Sequence, residues 1–592
     1  MAPQPPIRSA ERWIYLCWAL LVLAYLTLRA ASVPWVNDEC ASLHFYVEKG
    51  EFLPYRAHWD ANNHVLSSAV GTGLYQLFGL SLVASRVGSL LAFVLFAGCA
   101  WLLAARVREA VIRWGLLLAL TACPFMLDFF ALFRGYAFEL AFLLLAVLGL
   151  VRLLERWRTR NLLLTLLALL LANASVLALL PTWAALVALL GAGIGWMWPR
   201  LGARQRAAQW AVWLLAGGLP VGAAVPYAME LRERGLLYHG GTDGLFRITV
   251  GPLNYHVLGV DTPVVRGLLL GLLAAAFLAL AIRGGRVPAF VAIGLLGLDV
   301  ALRVFLALAM DVNYPKDRAA LHLVPLGLLA IAYGLDRWAI RHRAVRFAAL
   351  ILLALPLRSV VGANLSTTLL WPEEALPEAF LRAVANRTWE NPAVLQCPPR
   401  WSLTLPMGIR RLGLDAPLTA SDAHGAPAEE LRITDIGEVP DTMAFALLAS
   451  AGPSGPHLLE RRHPLSLLPV WRGEGPVSEG DWEFLDAWRT DSLGHGDHVV
   501  DLLITADSDG RPVLCNLVVD LHDASGANVY YRTYPLDLQR PVWTPRPFAI
   551  RARIPGEAGA SRAAIYFWQP RHRHARLQRA QIGVSRVADP EH

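Results

Sequence analysis

Over the first 362 positions apolar residues do not alternate with polar ones but run on in long stretches. These stretches fall at roughly 12–30, 84–105, 111–128, 134–154, 160–180, 181–198, 209–228, 263–282, 287–309, 320–339 and 345–362. Crossing the hydrocarbon core of a bilayer takes about 20 apolar residues. This part of the chain therefore predicts a polytopic α-helical membrane protein with about eleven spans. The first stretch has no small-residue cleavage site behind it, so it reads as a retained helix and not as a signal peptide.

The segment 64–79, HVLSSAVGTGLYQLFG, tests the count. It is apolar, yet short, and Ser67, Ser68, Thr72, Gln76 and three glycines interrupt it. It predicts an interfacial helix lying on the membrane surface. The whole of 31–83 is then one loop.

Beyond 362 the pattern changes. The stretch 373–388 predicts a surface helix, Ala393–Cys397 a buried strand, and the following SLTLPMGIRRLG a helix or turn. From about 480, short alternating runs (VVDLLITAD, CNLVVDLHD, NVYYRTYPL, FAIRARIP, AAIYFWQP, QIGVSRV) are separated by turn sequences. Short strands at even spacing suggest a jelly-roll-like β-sandwich. The expected organisation is a transmembrane domain at 1–362, a small extracytoplasmic α/β region at 363–470 and a β-sandwich at 471–592. The aromatics of the last part, such as Tyr530, Tyr531 and Trp568, suit sugar stacking in a carbohydrate-binding-like domain. They suit a core or an interface more often.

Composition agrees with this division. The chain has 592 residues, 56% hydrophobic and 17% charged, with a mean hydropathy of +0.44. A soluble protein carries about 25% charged residues. Most of the 46 acidic residues lie after position 362. The net charge of +7 comes from short loops between apolar runs and gives no sign of nucleic-acid binding. Six cysteines are too few for a disulfide scaffold. Pairing of Cys397 with Cys515 stays open.

The loop arginines set an orientation. Arg106, Arg108 and Arg113 share one loop, and Arg152, Arg156, Arg158 and Arg160 the next on the same side. Arg200, Arg204 and Arg206, then Arg337, Arg343 and Arg346, continue the series. By the positive-inside bias this face is cytoplasmic, with the N-terminus. The loops 31–83, 229–262 and 310–319 and the C-terminal region are then extracytoplasmic, at a bacterial plasma membrane and in contact with its lipids.

Polar chemistry gathers on that outer face. Asp38 and Glu39 follow the first span, and His44, His58, Asn62, Asn63 and His64 come after them. Adjacent carboxylates near histidines can serve acid–base or metal chemistry, or simply solvate a loop. The histidine spacing fits no standard metal signature, so no cofactor is assigned, with a divalent metal left open. Lys316 is one of only two lysines. It lies with Arg318 in the short outer loop, and Arg134 opens another span on the same side. All three suit an anion such as a phosphate, or snorkelling at the interface. The loop 229–262 is too long for a plain connection and suits a lid or an acceptor-facing loop. Asp299 and Arg303 lie one helical turn apart inside a span and predict an ion pair. Glu139 should be paired with a neighbour. Asp128 is a weaker candidate for a second active-site carboxylate.

Several of these residues fall in a recognisable order: Asp38-Glu39, Asn62-Asn63-His64-Val65-Leu66, Leu77-Phe78-Gly79, Ser85-Arg86-Val87-Gly88-Ser89, Arg134 with Tyr136, and YPKDRAALHLVPL from Tyr314 to Leu326. In this order residues 12–362 resemble the GT-C superfamily of membrane glycosyltransferases, especially the branch of protein O-mannosyltransferases and the lipid A aminoarabinose transferase. Two departures stand out. No Pro-Pro follows Asn63, and Ala319 replaces the aromatic residue usual after the arginine. The resemblance implies transfer of a sugar from a polyprenyl-phosphate donor to a glycan, lipid or protein acceptor, with inversion. Asp38 would act as general base and Glu39 in support. Asn63, His64, Arg134, Lys316 and Arg318 would bind substrate. The rival readings are a glycan ligase or polymerase using a lipid-linked oligosaccharide, and a non-enzymatic transporter or lipid-glycan binding protein. A transporter should show internal repeats or polar groups at mid-membrane. No convincing repeat is present, and the polar residues gather at one surface.

Overall fold

The computed structural model describes residues 9–283, 287–340, 342–390, 392–417, 419–420, 429–438, 443–451, 455–478, 482–556, 559–570 and 575–588. Backbone contacts divide the chain into two compact units. One joins Met1–Val33 to Phe45–Leu370, and the other joins Pro34–His44 to Trp371–His592.

The first unit is helical. Among its described residues, nine helices are long and apolar enough to cross a membrane. A tenth span results if Ala110–Thr121 and Pro124–Phe130 count as one, bent by 47°. The bend falls where Pro124 opens the second piece and supplies no N–H to the first. The eleventh predicted segment, 160–180, is shorter than expected. Its helix is Thr159–Ser175, because Val176 leaves helical geometry at φ −145°, ψ 117°. The chain is thus a polytopic helical membrane protein. The segment tested above forms the helix Val65–Phe78. Its 14 residues give about 21 Å of length at 1.5 Å per residue, well under the roughly 30 Å hydrocarbon thickness.

Charged side chains buried in this unit hold helices together. Arg86 is fully buried and donates to the carbonyls of Ala30 (3.1 Å) and Val33 (2.7 Å), tying Leu82–Ala104 to the end of the first span. Asp128 pairs with Arg29 at 2.5 Å and accepts from Leu369 N at 2.9 Å, both side chains being buried. Asp128 therefore joins the first span to the chain leaving the last one, a structural task.

The second unit contains a small mixed sheet and a sandwich. The mixed sheet comprises β1 (Leu395–Gln396), β2 (Thr419–Ala420), β3 (Leu431–Ile433), β4 (Phe445–Ser450) and β5 (His457–Arg461), in the order β2-β1-β3-β5-β4. The helices Glu378–Glu390 and Thr404–Arg411 accompany it, and Phe380, Leu381, Leu405 and Ile409 enter its core.

The sandwich strands are β6 (Leu467–Glu474), β7 (Phe484–Thr490), β8 (His498–Asp507), β9 (Asn516–Asp523), β10 (Asn528–Pro535), β11 (Phe548–Ile554), β12 (Ala560–Trp568) and β13 (Arg576–Val587). They form two four-stranded antiparallel sheets, β11-β8-β13-β6 and β10-β9-β12-β7. This is the strand order of an eight-stranded jelly roll. Alternation builds the core. Along β8, Val500, Leu502, Ile504 and Ala506 point inward, while Leu503 points out and is 42% exposed. Cys397 and Cys515 are free and buried in separate cores, so the disulfide left open by the sequence is not formed.

Candidate functional site

The acidic pair lies on the short helix Asn37–Ser42, within the C-terminal unit. Val36 precedes the helix and offers no side-chain cap. Glu39, three residues on, reaches back to accept from Val36 N at 3.1 Å. This is the returning half of a capping box. Glu39 is fully buried, so its carboxylate fixes the helix start. Asp38 is half-buried in the first turn, where the helix dipole favours a negative charge. Two further contacts seat the segment in this unit. Asn37 N donates to Glu374 Oε2 at 2.6 Å, and His44 Nε2 lies 3.6 Å from Asp537 Oδ2, the His44 and Asp537 side chains both being buried.

The histidine and arginine candidates lie in the membrane unit. A tight turn, with Asn62 N donating to Asp60 Oδ1 at 2.9 Å, delivers Asn63 and His64 to the start of Val65–Phe78. Asn63 Nδ2 donates to Phe52 O at 3.0 Å. His64 is 5% exposed, and its Nδ1 lies 2.6 Å from Ser175 O. That contact places the proton on Nδ1 and leaves Nε2 a buried acceptor without a protein partner. Burial drives the imidazole well below its ordinary pKa, and the charges of Arg134 and Arg318 push it the same way.

Arg134 is the residue before the span Gly135–Glu155 and is almost wholly buried. It donates to Asn62 Oδ1 and lies over the Tyr136 ring at 5.9 Å. Gly135 makes this approach possible. A Cβ there would lie 2.1 Å from Ser175 O and 2.7 Å from the His64 ring. Tyr46 adds a buried hydroxyl with no hydrogen-bond partner. Burial raises its pKa, with Asp60 adding to the effect and Arg134 opposing it.

Lys316 and Arg318 lie on the loop 310–319, which the long loop 229–262 clasps. Gly241 and Tyr314 exchange backbone hydrogen bonds of 2.8 and 3.4 Å, and Thr249 Oγ1 donates to Pro315 O at 2.7 Å. His239 Nε2 donates to Lys316 O at 3.3 Å, and His256 Nε2 lies 3.2 Å from Asp317 Oδ1. Asp317 has φ +48°, a conformation uncommon outside glycine, which turns Lys316 and Arg318 to their places. Lys316 is exposed and Arg318 half-buried. The long loop is therefore anchored to 310–319 and carries its own helix, Gly251–Leu258. Burial and the charges of Arg318 and Lys316 lower the His239 pKa, against the pull of Asp317 and the Lys316 carbonyl.

Within the membrane unit the His64 ring thus packs against Gly135, next to Arg134, and the charge of Arg318 bears on both His64 and His239, whose ring meets the Lys316 carbonyl. Reasoning from sequence missed Tyr46, and singled out the loop that carries His239 without giving that residue a role. Neither carries a motif, and only the fold places them beside the named cations.

The pair Asp299–Arg303 forms as expected, at 2.6 Å. It belongs to a larger buried network. Asp299 also accepts from Thr182 Oγ1, and Arg303 Nη2 lies 3.0 Å from Ala178 O and 2.9 Å from His322 Nε2. His322 Nδ1 faces Glu139 Oε1 at 3.4 Å, which supplies the neighbour expected for Glu139. Among the described residues no group of three or more His, Cys, Asp or Glu side chains is arranged to hold a metal ion.

No family model matches the chain, and no curated protein matches it. Solved structures do. ArnT from Cupriavidus metallidurans in the apo state is 14% identical with a TM-score of 0.49, over 76% of this chain and 98% of that one. The arabinosyltransferase EmbB from Mycobacterium smegmatis is 12% identical with a TM-score of 0.39, over 100% of this chain and 66% of that one. The Archaeoglobus fulgidus oligosaccharyltransferase is 12% identical with a TM-score of 0.38, over 66% of this chain and 61% of that one. Each of these likenesses is of low identity, 12–14%, with a TM-score below 0.5.

Proposed function

We propose that this protein is an inverting membrane glycosyltransferase. It moves a sugar from a polyprenyl-phosphate donor to a hydroxyl of a glycan, lipid or protein on the extracytoplasmic face of a bacterial plasma membrane. The observation that supports the reading is a buried His64 with an unpaired Nε2, packed against the backbone that follows Arg134 and depressed in pKa by the charges of Arg134 and Arg318.

The chemistry needs an acceptor oxygen to attack the anomeric carbon while the bond from that carbon to the phosphate oxygen breaks. The electron pair leaves with the lipid phosphate, and the acceptor gives up its proton. Asp38 takes that proton as general base. Arg134, Lys316 and Arg318 hold the phosphate, whose negative charge grows as it departs. Glu39 keeps the Asp38 helix in shape. Asn63 and the free Nε2 of His64 hold hydroxyls of the sugar. No metal step is needed for this balance of charge and protons.

The test is direct. The purified protein is incubated with a panel of polyprenyl-phosphate sugars and candidate acceptors, and products are read by mass spectrometry. Transfer from at least one monosaccharide donor is expected. Transfer only of preassembled lipid-linked oligosaccharides would favour a ligase or polymerase. Movement of lipid-linked sugar across vesicles without any transfer would favour a transporter.

A further inference from the structure

The C-terminal unit contains a small open cleft of about 220 Å³ between the mixed-sheet region and the outer face of strands β8 and β11 of the jelly roll. We propose that it binds a neutral sugar residue, with the Gln539 amide as the polar anchor.

Gln539 ends the short helix Leu536–Gln539, lines the cleft and is 5% exposed. Neither its Oε1 nor its Nε2 has a hydrogen-bond partner in the protein. Leaving a buried polar group unpaired is costly, so a ligand that completes its bonds is favoured. A primary amide offers a donor and an acceptor side by side, and adjacent sugar hydroxyls both donate and accept.

The ionic groups of the cleft argue against an anion. Arg540 is held by Asp415 through two contacts (3.0 and 2.5 Å) and donates to Arg546 O at 2.9 Å. Arg551 is held by Asp501 (2.6 and 2.9 Å) and by Glu430 (2.8 Å). Both guanidinium groups are already neutralised, so a phosphate or carboxylate would have to displace a bidentate partner.

The floor is apolar and flat. Leu503 and Ala549 are register partners on adjacent strands, both facing away from the sandwich core, and Pro417 borders them from the mixed-sheet side. Such a surface suits the C–H face of a sugar ring. A neutral ligand with clustered hydroxyls and one apolar face satisfies the amide, leaves the ion pairs closed and covers Leu503. The aromatic residues singled out in the sequence play no part here.

The proposal concerns binding without donor lipid or transfer, so its test is separate from that of the transferase reading. Saturation-transfer NMR is run on the full-length protein in detergent with methyl glycosides of neutral hexoses and pentoses, and with a neutral tetrapeptide as competitor. At least one glycoside is expected to receive saturation at its ring protons. Gln539→Leu should weaken it at least tenfold. Ala549→Trp, at an exposed strand position that fills the floor, should remove it. If Gln539→Leu does not fold, Ala549→Trp decides alone. Binding by neither glycoside class, unchanged binding in the folded variants, or saturation of the tetrapeptide alone would each overturn the assignment.

Discussion

The two units hold their interiors together by different means. In the membrane unit nearly every charge placed among the spans is enclosed by specific partners: Arg86 by carbonyls, Arg29 by Asp128, Arg303 by Asp299, His322 and a carbonyl. In the C-terminal unit, apolar alternation builds the core, and several buried polar groups remain unpaired, among them both ends of Gln539 and Glu429 Oε2. The difference follows from the solvent. A helix in lipid cannot borrow a hydrogen bond from water, so an unpaired charge there costs several kcal/mol. At the edge of a solvated domain, water or a ligand supplies the bond.

The most severe way to break this pattern is to open the network of the spans. Asp299→Ala leaves Arg303 buried without its carboxylate. Removing one partner of a buried pair typically costs about 3–5 kcal/mol. A large fall in the thermal inactivation temperature of the detergent-solubilised protein is expected. The double variant Asp299→Ala/Arg303→Met should recover much of it. Equal loss in single and double variants would show that the network is not held by this pair.

The acidic pair sharpens the comparison, because one carboxylate is enclosed and its neighbour is half-open. General-base assistance is worth about 10²–10⁴-fold, so Asp38→Asn should lower the transfer rate at least a hundredfold while donor binding persists. Glu39→Gln preserves a capping acceptor and should cost much less. Near-normal turnover in Asp38→Asn would make the pair a solvated turn and bring the transporter reading forward.

The buried carboxyl of Glu429, whose Oε1 lies 3.9 Å from Arg432 and whose Oε2 has no hydrogen-bond partner, gives a test by pH alone. Burial pushes it to about 7 from its ordinary 4.5, against the opposing charges of Arg432, Arg461 and Arg553. The folded form therefore prefers the protonated acid. The stabilisation relative to the ionised form is full below about pH 4.5 and is lost as pH rises through 7. The total is roughly 3 kcal/mol at 1.36 kcal/mol per unit. Glu429→Gln should remove this part of the slope. A wild-type and variant that lose stability in parallel between pH 5 and 8, followed by the fluorescence of the C-terminal tryptophans, would discard the assignment.

Much of the architecture was legible because it rests on local pattern. Long apolar runs gave spans, and alternating runs gave six of the eight sandwich strands. The brevity of 64–79 showed that Val65–Phe78 does not have the length to cross. Two things were hidden. The break at Val176 depends on backbone geometry that no composition signals. The attachment of Pro34–His44 to the C-terminal unit rests on contacts with Glu374 and Asp537, more than 300 residues away. Similarly, His322 as the partner of Glu139, and Tyr46 and His239 beside the cations, are long-range pairings that a linear pattern cannot encode. The sequence located the carriers of charge; the fold decided which are enclosed.

The smallest expected effect tests that distinction at the cations themselves. Arg86 and Arg318 both lie near span ends, but Arg86 is spent on the carbonyls of Ala30 and Val33, while Arg318 is half-buried and bears on both His64 and His239. A charge-assisted bond to phosphate contributes about 1.5–3 kcal/mol. Arg318→Ala should therefore weaken binding of a polyprenyl phosphate by roughly 10- to 100-fold, with thermal stability nearly unchanged. Arg318→Lys should recover part of the affinity, since it keeps the charge and loses the fork. Removing the positive charge should also let the His64 pKa rise, because Arg318 is one of the two cations that depress it. That shift can be followed by NMR of the labelled imidazole and does not depend on turnover. Unchanged lipid affinity together with an unmoved His64 titration would take Arg318 out of the site and leave Arg134 and Lys316 to hold the phosphate.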